Sequence, residues 1–92
     1  MEHAIAHQTD KSRYVLTVDG TEAGACYYVD AGDTREFNHT VIKDAFRGQG
    51  LSAPLIKAAL DDVRRTGGSV IPSCSAVERF IAKNPDYADL VA

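Results

Sequence analysis

The stretch AFRGQGLSAPL, Ala45 to Leu55, decides how this chain is read. It sets an arginine and two glycines directly before an apolar run with helical spacing. From Leu51 onward the apolar residues fall at Leu51, Leu55, Ile56, Ala59, Leu60 and Val63, and Lys57, Asp61, Asp62, Arg64 and Arg65 take the opposite, solvated face. Pro54 does not oppose a helix, because the amide it lacks has no helical partner in the first turn. The helix is expected to begin near Gly50 or Leu51. It should stop at Thr66-Gly67-Gly68, where Arg64 and Arg65 suit the negative end of the dipole.

Toward the N-terminus, Tyr14–Val18 and Ala23–Val29 are β-branched and aromatic, with Asp19-Gly20 between them. Asp-Gly at that position signals a tight hairpin. A second turn leads to Arg35–Ile42, and on an unbroken pleat Phe37, His39 and Val41 share one side. Three consecutive antiparallel strands are expected, preceded by a loose N-terminal segment. Beyond the helix, Ser69–Pro72 reads as a short buried strand, parallel to Arg35–Ile42 through a β-α-β crossover. Pro72 lacks a ladder donor, so the two strands should part there. Ser75 and Glu78 have capping-box spacing and open a second helix through about Lys83, stopped by Asn84-Pro85. The fold class is α+β (α/β), in one domain over residues 1–92.

The bulk composition sets limits on function. A net charge of −3 is not that of a general nucleic-acid binder. No stretch approaches the ~20 apolar residues of a membrane span, and the N-terminus lacks the apolar core of a signal peptide. Cys26 and Cys74 make no disulfide scaffold, so free thiols, a cytoplasmic setting and a monomer are expected. His3 and His7 have the spacing of helical zinc ligands but no further ligands nearby, and no metal site is expected.

A helix N-terminus with glycines and a fixed cation suits a phosphate. It also suits a plain strand-to-helix turn with a solvated arginine. A Walker loop needs Gly-Lys-Ser/Thr where this chain has Gly-Leu-Ser. The dinucleotide fingerprint needs a third glycine where Ala53 stands, and a later acidic residue at a strand end. Both fit poorly.

Arg47-Gly48-Gln49-Gly50-Leu51-Ser52 resembles the R/Q-x-x-G-x-G/A segment of the GNAT superfamily of acyl-CoA-dependent N-acyltransferases, with Ser52 at the last glycine/alanine position. Phe37-Asn-His-Thr40, Pro72-Ser-Cys74 and Phe80-Ile-Ala-Lys-Asn-Pro-Asp-Tyr87 resemble successive landmarks of its short, single-domain YjdJ-like branch. The likeness spans about residues 12 to 90. Members often carry a glutamate where Val41 stands, and His-Pro-Glu-Tyr where this chain has Asn84-Pro-Asp-Tyr87. The resemblance implies a compact GNAT-like fold, acetyl-CoA as donor and an unidentified amine as acceptor. It implies that residues 47 to 52 hold the CoA pyrophosphate, and that the thioester lies between the strands Arg35–Ile42 and Ser69–Pro72, near the amides of Val41 and Ile42.

Three side chains are candidates for the chemistry. Cys74 precedes Ser75, the expected cap, so the helix dipole should enrich its thiolate; the resemblance implies that it faces the acyl group. The alternative is a small buried hydrophobe, and Cys26, mid-strand, is read that way. His39 suits proton acceptance from an amine, or it packs on the sheet. Tyr87 protonates the CoA thiolate, as a tyrosine does in many GNAT enzymes, or anchors the C-terminal segment. The rival function is a non-catalytic acyl-CoA-binding module, suggested by Val41.

Overall fold

Asp19 and Gly20 both take positive φ, 51° and 84°, and turn β2 (Arg13–Val18) back on β3 (Thr21–Ala31). This is the backbone twist that a two-residue hairpin turn needs. The computed structural model describes residues 2–92. β4 (Thr34–Ile42) follows β3 antiparallel, and β5 (Ser69–Pro72) lies beside β4 in parallel. Between them runs α1 (Ser52–Thr66), and after β5 comes α2 (Ser75–Lys83). Here Asn84 ends the helix and a 3-10 turn, Pro85–Leu90, continues the chain.

The segment expected to be loose is a fifth strand. β1 (His3–Gln8) pairs antiparallel with β2 from His3↔Val18 to Gln8↔Arg13, so the sheet order is β1-β2-β3-β4-β5. Extended backbone also removes the helical spacing of His3 and His7, because four strand residues span ~13 Å.

Both helices pack on one face of the sheet. Tyr14, Leu16, Val18, Cys26, Tyr28 and Phe37 from the strands meet Leu55, Ile56, Ala59, Leu60 and Val63 of α1 and Val77 and Ile81 of α2. The apolar stripe read from the sequence is therefore the buried stripe. The polar stripe is less solvated than expected. Asp61 and Asp62 are half-buried, since Tyr87 Oη donates to Asp61 at 2.7 Å and Tyr14 Oη to Asp62 at 2.7 Å. Among the described residues no helix is long and apolar enough to cross a membrane.

β1 is tied to α1 through His7. Its ring stacks on Tyr14 at 4.2 Å, its Nε2 lies 2.6 Å from Tyr28 Oη, and its Nδ1 lies 3.3 Å from Asp62. Arg35 donates to Tyr14 Oη at 2.6 Å and pairs with Asp30 at 2.7 Å. Burial pulls the His7 pKa below 6.5; Asp62 opposes this, and Arg35 adds to it. The folded state thus favours neutral His7, while the unfolded chain takes up its proton near pH 6.5. The contribution is complete above that pH and declines as the pH falls below it, until the lowered folded pKa is passed. The thermal midpoint is expected to drop between pH 7.5 and pH 5.5, and to drop less in His7→Gln. Leu60→Ala, which empties a fully buried site, is expected to cost about 2–5 kcal/mol in urea unfolding.

Candidate active site

The site begins where β4 and β5 separate. Their ladder pairs Thr34↔Ser69, Arg35↔Val70, Glu36↔Ile71 and Phe37↔Pro72. One further bond joins them, from the Cys74 amide to the Phe37 carbonyl at 2.9 Å. The separation expected at Pro72 therefore starts later. The Val70 carbonyl accepts from the Ala92 amide, on the side away from β4. Two residues on, the donor that Pro72 lacks would face that same outer side, so no bond to β4 is lost. Beyond Phe37, β4 runs on to Ile42 without a β5 partner, and the chain leaves β5 to enter α2.

A β-bulge shapes this free stretch. Tyr28 pairs with Phe37 and Tyr27 with His39, leaving Asn38 as the extra residue on β4. One inserted residue reverses the alternation of every later side chain. His39 therefore does not share Phe37's side, as expected on a regular pleat. It is exposed on the outer face, with its ring stacked 5.9 Å from Tyr27. Thr40 turns to the helix side instead, where its hydroxyl lies 3.4 Å from Cys74 Sγ and 3.5 Å from Cys26 Sγ.

Cys74 itself takes the position before the helix, with φ −79° and ψ 130°. Ser75, expected to cap, is the first helical residue, and α2 starts without a side-chain cap hydrogen bond. Its early amides lie near the sulfur instead. Burial alone would raise the Cys74 pKa, but the Thr40 hydroxyl and the amides of Val77 and Ala76 favour the thiolate, and the net shift is downward. Cys26 has the same threonine and the opposite outcome, because burial pushes its thiol up to about 11. Of the two thiols, Cys74 is the one suited to chemistry.

The glycine loop lies at the start of α1. Gly48 and Gly50 take φ of 81° and 68°, in the left-handed region that disfavours side chains. Among the described residues, the amides of Gly48, Gln49, Gly50, Leu51, Ser52 and Ala53 donate to no protein carbonyl or side chain. Amides without a protein partner of good geometry thus lead into the positive end of a 15-residue helix, an arrangement that suits a bulky anion. Arg47, 67% exposed, rests 3.1 Å from Asp44 and 3.3 Å from the Ile42 carbonyl. Val41 and Ile42 close the end of β4 and are half-buried.

A cleft of about 220 Å³ continues from this loop between the helices, lined by Ser52, Ile56, Ala76, Phe80, Arg79 and Lys83 among others. The basic pair was not singled out from the sequence. Its signal is the i,i+4 spacing of Arg79 and Lys83, which places both on one helical face.

Tyr87 is held against α1. Its hydroxyl donates to Asp61, about nine residues or ~13 Å along α1 from the helix start, and its ring meets Phe80 at 5.5 Å. The Asp61 bond, with burial, raises its pKa. Of the three candidate catalytic side chains, the fold sets Cys74 at the opening, His39 on the outer face and Tyr87 against α1. Among the described residues no group of three or more His, Cys, Asp or Glu side chains is placed to hold a metal.

Comparison with known proteins shows the family and the fold. Residues 13–90 match the sequence model of the family described as GCN5-related N-acetyl-transferase. The chain is 26% identical over 83 residues to Protein NATD1 of Xenopus tropicalis, covering 88% of this chain and 76% of the relative. It is also 26% identical to Protein NATD1 of Bos taurus, covering 88% and 74%. A GCN5-like protein of Staphylococcus aureus, solved by NMR in solution, superposes with a TM-score of 0.74 at 21% identity. The match covers 97% of this chain and 87% of that one.

The two thiols should differ in reactivity. Iodoacetamide at pH 7.5 is expected to label Cys74 and spare Cys26 in the folded protein, as read by peptide mass mapping. Thr40→Val removes a donor to the thiolate and should slow Cys74 labelling, with the rate–pH midpoint moved upward.

Proposed function

The chain belongs to the GCN5-related N-acetyltransferase family, and from that premise we propose that it transfers an acetyl group from acetyl-CoA to an amine at the β4–β5 opening. The observation that carries this reading is the set of unpartnered amides from Gly48 to Ala53, joined to an opening beside the Cys74 sulfur. The loop from Arg47 through Gly48, Gln49, Gly50 and Leu51 to Ser52 would hold the pyrophosphate. The backbone at Val41 and Ile42, unpaired toward β5, would flank the pantetheine arm, and Arg79 and Lys83 would meet further phosphate or adenosine polar groups along the cleft.

Acetyl-CoA supplies an activated thioester carbonyl. Transfer forms one C–N bond at the acyl carbon and breaks its C–S bond; the amine gives up a proton and the departing sulfur gains one. His39, exposed on the outer face, would take the proton of an amine arriving from that side. Cys74 lines the acyl pocket, and Thr40 fixes the direction of its sulfur. Tyr87 keeps the C-terminal turn on α1 through its hydrogen bond to Asp61. A second reading, a non-catalytic acyl-CoA-binding module, is favoured by one observation: Val41 offers no general base at the end of β4.

Titration with CoA, followed by backbone amide shifts, is expected to move Gly48 to Ala53 most. Arg47→Ala should weaken CoA binding about tenfold, the low end for a charge-assisted contact because the side chain is exposed. Binding with shifts centred elsewhere would overturn the loop assignment. Loss of acetyl-CoA dependent on an added amine supports transfer, and binding without any such loss supports the module.

A further inference from the structure

The outer face of the sheet carries a carboxylate without a counter-ion. Glu36 is half-buried and forms no salt bridge among the described residues; its partner is the Ser73 hydroxyl, which donates to it. Glu22, a carboxylate at the far end of β3, is by contrast matched by Arg13 at 3.6 Å and Lys43 at 3.5 Å. Glu36 also sits in a specific row. It pairs with Val29 of β3 on one side and Ile71 of β5 on the other. These are two of the three large hydrophobic side chains that stay exposed, at 53% and 41%. An unpaired carboxylate between two exposed aliphatic side chains matches an ammonium carried on a methylene chain.

Its position relative to the opening gives the row a use. Phe37 is the last β4 residue paired with β5, so the opening starts at Asn38, two residues or ~6.6 Å from Glu36. The helices occupy the other face, so an acceptor reaches the opening from this one. His39 stands on the same outer face just beyond. An ammonium held at Glu36 cannot itself react, because it has no lone pair. A second amine a few methylenes away would reach the opening.

We propose that the acceptor is an aliphatic diamine, anchored by one ammonium between Glu36, Val29 and Ile71 while its other amine enters the β4–β5 opening beside His39. The proposal rests on the acetyl-transfer reading above and names its acceptor class. Glu36 is a specificity-determining residue: it binds the group that does not react.

The test uses 1,4-diaminobutane in two measurements, each at constant ionic strength and pH 7. In the first, without any acyl donor, amide shifts of the full chain are followed on adding the diamine, with ammonium chloride and 1,4-butanediol as controls. Shifts are expected at Val29, Glu36, Ile71 and Ser73 for the diamine, smaller ones for ammonium and none for the diol. Glu36→Gln keeps an acceptor for Ser73 and should preserve the thermal midpoint while weakening diamine binding about fivefold, the upper range for an exposed ion pair. In the second, Glu36→Gln should raise KM for the diamine by a similar factor, leave kcat near the parent value and leave butylamine turnover unchanged. Diamine shifts elsewhere, or equal binding by the parent and Glu36→Gln, would overturn the proposal. Diamine binding at Glu36 in a protein that transfers acetyl to no amine would support the amine site and overturn the transfer reading.

Discussion

The hydrogen bond from the Cys74 amide to the Phe37 carbonyl is the last backbone-to-backbone tie between β4 and the chain leaving β5, and the site is arranged around it. It fixes the level at which the sheet divides. It sets Cys74 at the division and points the chain into α2, so the first amides of that helix lie beside the sulfur. On the β4 side, the strand past Phe37 has no further ladder pairs with β5. A longer β5 ladder would close the opening, and a shorter one would leave Cys74 without a fixed place.

The two cysteines show how little of their chemistry is a property of cysteine. Both meet the same Thr40 hydroxyl at nearly the same distance. Cys26 is fully buried among strand residues, and the cost of desolvating a thiolate outweighs the Thr40 hydroxyl and decides its pKa. Cys74 is less buried and sits at a helix start, and donated hydrogen bonds decide instead.

The parts legible in the sequence are those set by local rules. Asp19-Gly20 requires a turn, the stripe from Leu51 to Val63 requires a helix face, and Gly48 and Gly50 accept φ values that other residues resist. Asn38 was not legible as a bulge, because an extra residue in a strand carries no residue type of its own. Its consequence is nevertheless large: Thr40 exchanges faces with His39, and the expected position of the histidine reverses. β1 was missed because His-Ala-Ile-Ala-His-Gln is short and offers one large aliphatic; the pairing with β2 and the contacts of His7, not propensity, make it a strand. Ser75 gave a true helix boundary but a wrong cap, since Cys74 already occupies that position. Glu36, Arg79 and Lys83 looked like ordinary surface charge. Only the cross-strand row and the inter-helix cleft set them apart.

The spatial order of the strands is their order along the chain. Each antiparallel pair joins neighbours in sequence, so the meander closes through short loops, and one connection alone, the crossover through α1, spans a long separation. Loop-closure entropy rises with separation, and chains dominated by near-neighbour pairing fold quickly for their size. The β1–β4 meander can therefore assemble from successive hairpins before β5 docks. The β4–β5 edge that carries the site therefore bears the largest loop-closure cost in the sheet.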